Sequence, residues 1–333
     1  MLAQYTSDSL DTAIKTDNQE NNLRSLANIV TLISCLEDKD KYLYYLSMSL
    51  SKRLLDADLD SISSLEWEKQ LVHLIKSKLG SEFSKNLEAM IFDVESCYEK
   101  KDAIRLYFSK NSNQQLIRDF HVNVLSNCEW LLPVGVELSP PSNIILIQQI
   151  FETFYTGDPS NLNRRLEWNY MLGTMEVKYN WMGKDYIVIC KPYQYFIINL
   201  FQHQPELSIN DISIALKLKD GTALEPIIES LLAAPKILIK KVGEEGTFCA
   251  ADRLILNPEF KSKTKRVIIR EAKFEDKFKG KANVDADRVL AIQGCIVRVM
   301  KSNKIMEYTE VCKMVEKLML KFNPTSKVRH VSS

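Results

Sequence analysis

Residues able to do chemistry are sparse in this chain. The four histidines, His73, His121, His203 and His330, include none at metal-ligand spacing from another histidine or a cysteine. The seven cysteines, Cys35, Cys97, Cys128, Cys190, Cys249, Cys295 and Cys312, are odd in number, scattered and without a C-x-x-C pair. They read as reduced thiols, with neither a disulfide framework nor a zinc site. No G-x-S-x-G, G-x-x-x-x-G-K or G-x-G-x-x-G string occurs, so a nucleophile elbow and a phosphate loop both lack their sequence. Asp38 with Asp40, and Asp56 with Asp58 and Asp60, are of the right type for an acid/base or metal pair. They flank helix ends, however, where carboxylates act as caps and turn formers. No catalytic constellation, metal site or cofactor site emerges.

One residue at the end of an apolar run stands apart. Residues 296–301 read IVRVMK and close on Lys301. At about 100° per residue, Val289, Ile292, Ile296 and Val299 make one helical stripe, and Lys301 projects roughly opposite to it. Its surface neighbours are Val297, Arg298 and Lys304, an apolar and basic patch.

The elements that position such residues follow from composition and periodicity. Of 333 residues, 45% are apolar and 26% charged, the balance of a soluble globular chain, and the length implies two or three domains. No uncharged apolar run of membrane-spanning length is present, and the N-terminus carries no signal-peptide pattern. Reduced thiols and the lack of a leader point to cytoplasm and nucleus. Residues 261–329 hold 18 Lys+Arg against 8 Asp+Glu, so a balance of +10 there leaves −9 for the rest of a chain whose net charge is +1. A basic end of this kind suits nucleic acid or an acidic protein partner.

The expected class is α+β and mainly helical. Residues 1–22 are polar and read as a disordered tail or a frayed helix. Residues 23–118 carry four amphipathic stripes, built on Leu26, Ile29, Ile33 and Leu36; Leu43, Leu46, Leu50 and Leu54; Leu71, Leu74 and Leu79; and Leu87, Met90, Val94 and Cys97. These predict a helical bundle broken at 37–40, 56–64 and Gly80. Residues 119–272 change texture. A strand is expected over 120–125, where Phe120, Val122 and Val124 alternate with polar neighbours, then a helix over 144–155 and a hairpin whose arms are 174–179 and 185–190. Helices over 193–202, 208–216 and 222–233, then a strand at 236–241 and a 243–246 turn, follow winged-helix order. Residues 273–333 begin a second such unit, with Val311, Val315, Leu318 and Phe322 on one helical face, but only nine residues follow Pro324. The third helix of the complete unit carries Glu225 and Glu229 and no Lys or Arg, which argues against insertion into a DNA groove.

The string IVRVMKSNK resembles the neddylation motif of cullins, the scaffolds of multisubunit ubiquitin ligases. Further stretches agree in order and spacing: Asp38-Lys39-Asp40 before Leu50-Ser51-Lys52-Arg53-Leu54-Leu55, Leu79-Gly80-Ser81-Glu82-Phe83 before Leu87-Glu88-Ala89-Met90, and residues 120–130. Phe151-Glu152-Thr153-Phe154-Tyr155, Arg165-Leu166-Glu167-Trp168 with Leu172-Gly173, and Tyr193-Gln194 continue the match, which runs from about Asp38 to Phe322. The resemblance implies the C-terminal half of a cullin without the helical-repeat arm and with a truncated final winged helix. It implies a non-catalytic scaffold that binds a RING-box protein by strand addition, with Val122, Val124, Leu125, Trp130 and Trp168 at the interface. It further implies covalent modification of Lys301 by a Nedd-type ubiquitin-like protein, and indirect engagement of a ubiquitin-conjugating enzyme through the RING partner. Where the family usually has basic residues after the modified lysine, this chain has Ser302-Asn303. A receptor-less competitor, a decayed copy and a winged-helix nucleic-acid-binding protein are the alternatives.

Overall fold

A computed structural model describes residues 2–15, 19–56, 65–111, 120–126, 130, 132, 136–181, 183–202, 204–218, 223–240, 248–250, 252–274 and 284–322. The 243–246 turn, most of 56–64 and of the basic run 273–281, and the tail 323–333 lie outside these residues. The chain forms two compact units. One comprises Met1–Arg105, Asp119–Leu131 and Ala282–Ser333; the other comprises Leu106–Arg118 and Leu132–Lys281.

The first unit is helical from its start. α1 (Leu2–Lys15), α2 (Gln19–Ser34), α3 (Lys39–Asp56), α4 (Leu65–Leu79) and α5 (Ser81–Asn111), whose residues from Leu106 belong to the second unit, follow in order. The stripes read from sequence are buried: Leu26, Ile29 and Ile33 on α2, Leu46, Leu50 and Leu54 on α3, Leu71 on α4, and Leu87, Met90 and Val94 on α5. Between α4 and α5, Gly80 adopts φ +105° and its N–H reaches the Lys76 carbonyl, a helix stop that glycine alone adopts without strain.

Residues 2–15 form a packed helix in place of the expected disordered tail or frayed helix. α1 buries Leu10 and Ala13 completely or nearly so, and its polar Thr6 and Ser7 are also enclosed. Thr6 Oγ1 shares a 2.9 Å hydrogen bond with Tyr42 Oη, and Arg53 Nη1 donates to Ser7 Oγ at 2.6 Å and to Ser49 Oγ at 2.9 Å. Arg53 Nε also pairs with the buried Glu68 carboxylate at 3.2 Å. A docking face made partly of Thr and Ser has low hydropathy and is invisible to a search for apolar stripes.

The second unit is α+β. Pro141 precedes α6 (Ser142–Thr156), and β1 (Met175–Trp181) turns through Gly183, φ +79°, into β2 (Lys184–Cys190). The hairpin pairs Met175 with Cys190 and Trp181 with Lys184, longer at its turn than expected. α7 (Pro192–Leu200), β3 (Glu206–Ser208), α8 (Ile209–Ala215), α9 (Leu224–Leu232), β4 (Leu238–Lys240) and β5 (Arg253–Leu256) complete a winged-helix unit, with sheet order β3-β5-β4. β6 (Arg266–Ile268) then pairs parallel with β2. Phe196, Ile197, Ile212, Ile227, Ile228, Leu231 and Leu254 form a fully buried centre. The dipeptide Tyr193-Gln194 fastens this centre. The buried Gln194 side chain accepts from Lys191 N–H at 3.0 Å and donates to Ser230 Oγ at 2.8 Å and to the Arg270 carbonyl at 2.7 Å. Tyr193 Oη accepts from Ala272 N–H at 3.1 Å, and burial pushes its phenol up to about 12.

The first unit ends with α10 (Val284–Asn303) and α11 (Tyr308–Leu318). Ile292, Cys295 and Val299 of α10 pack with Val315 and Phe322 into a small core of their own. Leu318, expected on the buried face, is 50% exposed, because the packed face of α11 runs through Val311, Cys312, Val315 and Met319.

Candidate functional site

Two places in the first unit and one in the second hold the residues singled out from sequence. Residues 120–126, including the expected strand 120–125, have no ladder partner among the described residues. α5 holds the segment from one side instead. Val124 N–H donates to Cys97 Sγ at 3.1 Å, and Ser126 N–H donates to Asp93 Oδ2 at 2.7 Å. Asp93 also accepts from Ser126 Oγ at 3.0 Å and from Trp130 Nε1 at 2.8 Å. Donors two residues apart on one side are the mark of extended chain, in which the intervening peptides point the other way. The main chains of Asn123 and Leu125 therefore face away from α5, and Asn123 Oδ1 is buried without a partner. Among the described residues the main-chain groups of Asn123 and Leu125 have no hydrogen-bond partner.

Val122, Val124 and Leu125 are half-buried on this segment. Trp130 is 5% exposed and its indole N–H is taken by Asp93, so it anchors the segment within the chain rather than offering a surface. Burial pushes the Cys97 thiol above its ordinary range, which keeps it a neutral S–H able to donate to the Val124 carbonyl. Trp168 belongs to the second unit. It stands edge-on to Phe151 with ring centroids 5.8 Å apart, and its indole donates to Glu152 Oε1 at 2.8 Å.

In the second unit the sheet order is β1-β2-β6, with β1 and β6 at its edges among the described residues. Beside β6 lie Lys261, Lys263, Lys265, Arg266 and Arg270, all exposed. Arg266 pairs with Glu176 across the sheet. Glu225 and Glu229 are exposed on α9, so the outer face of the winged helix's third helix is acidic, as its sequence suggests.

Lys301 lies in the last turn of α10, exposed, with Val297 52% exposed one turn before it. Among the described residues its ammonium has no hydrogen bond or ion pair. Asn303 Nδ2 donates to the Val299 carbonyl at 3.1 Å, and Lys304 leaves the helix at φ +55°.

Among the described residues no group of His, Cys, Asp or Glu is arranged to hold a metal ion, and no helix is long and apolar enough to cross a membrane. Sequence reading missed Asp93, whose three contacts organise the 120–130 segment, and Arg288, which meets Asp38 and Asp40. A lone carboxylate mid-helix and a lone arginine give no local signal of partners more than thirty or two hundred residues away.

A family model of the cullin alpha solenoid domain matches residues 1–101, and one of the cullin alpha+beta domain matches residues 124–260. Cullin-2 of Arabidopsis thaliana is 28% identical over 98% of this chain and 44% of its own length. Cullin-1 of Oryza sativa subsp. japonica is 26% identical over 91% of this chain and 40% of its own length. Cullin-4A of Homo sapiens is 26% identical over 92% and 40% respectively. The chain thus spans about two fifths of the length of these relatives.

Proposed function

This chain belongs to the cullin family, and we propose that it is a non-catalytic scaffold segment that captures a RING-box protein on the 120–126 edge and accepts a Nedd-type modifier on Lys301. Cullins are scaffold subunits of ubiquitin ligase complexes. The observation that carries the reading is the half-satisfied segment: Val124 and Ser126 are fixed to α5, while Asn123 and Leu125 present main-chain groups with no ladder partner. A strand from a RING-box protein would complete it, and main-chain hydrogen bonds would supply affinity with little demand on side chains. A RING partner held there would in turn recruit a charged ubiquitin-conjugating enzyme. The scaffold's contribution is then effective concentration, with the bond chemistry done elsewhere.

Lys301 fits the acceptor role because it is exposed, and unpaired among the described residues, at the end of a helix whose other face is buried. Nucleic-acid binding through the winged helix is disfavoured by the exposed glutamates of α9.

Two substitutions test the reading. Leu125→Pro removes a donor on the open edge, whereas Val124→Pro removes one already used by Cys97. With a purified RING-box protein, Leu125→Pro should abolish copurification while the helical circular-dichroism signal is kept; undiminished capture by the folded variant would place the interface elsewhere. Lys301→Arg should remove the band shift of about one ubiquitin-fold domain in a reconstituted neddylation reaction. A shift that persists would make Lys301 an ordinary surface lysine.

A further inference from the structure

The α10–α11 pair is held to the helical bundle by a polar clasp. Arg288 enters the corner between α2 and α3, where its Nε and Nη2 grip both oxygens of Asp40, the Nη2 contact being 2.6 Å. The same Nη2 donates to Asp38 Oδ1 at 2.8 Å. The Arg288 side chain is only 9% exposed, and its guanidinium carbon sits 4.8 Å from the centre of the Phe322 ring. Asp40 N–H adds a 3.1 Å bond to the Lys321 carbonyl. The hydrogen bonds to Asp40 hold the Arg288 proton more tightly than usual, with Asp38 reinforcing them. On the other side, the bond from Lys41 and then Arg288 hold the Asp38 carboxyl below its ordinary range.

Phe322 couples this clasp to packing. It is both the ring under Arg288 and a member of the small core with Ile292, Cys295, Val299 and Val315. That core draws on residues of 284–322 alone, so apolar burial binds α10 to α11 while charge binds the pair to the bundle. Removing Arg288 leaves the Asp40 carboxylate, whose side chain is 15% exposed, without its bidentate partner, while the more exposed Asp38 keeps Lys41; removing Asp40 leaves the enclosed guanidinium with Asp38 alone. A unit whose core is its own and whose described polar ties to the bundle centre on this clasp and the Asp40–Lys321 bond can detach without unfolding itself.

From this we infer that Arg288, Asp38, Asp40 and Phe322 form a latch that fixes the helix carrying Lys301, and that opening the latch frees α10 and α11 as a pair. Its bearing on modification rests on the proposal that Lys301 is the acceptor. The latch itself does not.

Amide hydrogen exchange on the full chain, followed by peptide mass, tests it. Arg288→Gln should raise exchange over 284–322 at least tenfold while α2 to α5 stay within twofold of wild type, because the loss is a tether and not the bundle's core. Asp40→Asn, nearly isosteric, should do the same, and Arg288→Lys should fall between, keeping the charge and losing the fork. Unchanged exchange over 284–322 in both neutralising variants would overturn the latch. So would an equal rise across the bundle, which would make Arg288 a general structural support. In reconstituted neddylation the opened variants should be modified faster than wild type at Lys301. Freed helices with no modification of either protein would sink the acceptor reading and leave the latch standing.

Discussion

The winged-helix region of the second unit and the α10–α11 pair of the first are held by different physics. The former encloses a continuous centre in which Phe196, Ile197, Ile212, Ile227, Ile228 and Leu231 have no exposed surface, and Gln194 spends its side-chain bonds inside it. The latter has five buried residues and an arginine clasp. Burial scales with area and is hard to reverse piecemeal, whereas a shared ion pair is lost in one step. The two regions thus differ in what fills their interiors: continuous apolar packing in one, a small core and a shared ion pair in the other.

Removing apolar volume should expose that difference first. Phe196→Ala is expected to cost the second unit about 3–5 kcal/mol, read as an early unfolding transition in denaturant with the first unit's transition unmoved. A single shared transition, shifted as a whole, would break the division. Asp93→Ala strips partners from Trp130 and Ser126 and should cost about 2–3 kcal/mol, with faster amide exchange over 120–130. Val315→Ala removes two methyl groups from the small core and should cost about 2 kcal/mol, concentrated in 284–322. Were the loss to appear throughout the bundle, the α10–α11 core would not be separate from it.

The smallest expected effect concerns a cap. Ser208 Oγ accepts from Asp211 N–H at 3.1 Å, and Asp211 returns a bond to Ser208, so Ser208→Ala should cost about 1 kcal/mol. The Ser208 hydroxyl and N–H hold the Asp211 carboxyl below its ordinary range. Its contribution to stability is therefore complete above the unfolded value of about 3.9 and is lost as pH falls through the lower folded value. The Ser208→Ala variant should show a flatter stability profile below about pH 4, measured by thermal melting.

Periodicity carried much of this fold into view before the structure did. Leucine and isoleucine at helical spacing marked α2 to α5, and alternation around Asn180 and Gly183 marked the hairpin, because both signals are local. α1 was hidden by its Thr and Ser contacts, whose stabilisation depends on Tyr42 and Arg53 from elsewhere in the chain. The 120–125 segment had strand composition, yet composition cannot report that its ladder partner is missing. Lys301 was legible as a surface residue from the stripe opposite it. The clasp was not, because Asp38 and Asp40 read as turn formers until Arg288 is brought to them across 248 residues.

The central claim is that residues 120–126 are an open edge completed by a RING-box protein. Amide exchange over that segment, measured with and without a saturating purified RING-box protein, tests it most directly. Protection should rise at Asn123 and Leu125 on binding, with Val124 and Ser126 changed little because α5 already holds them. Binding that leaves Asn123 and Leu125 as unprotected as in the free chain would contradict the account.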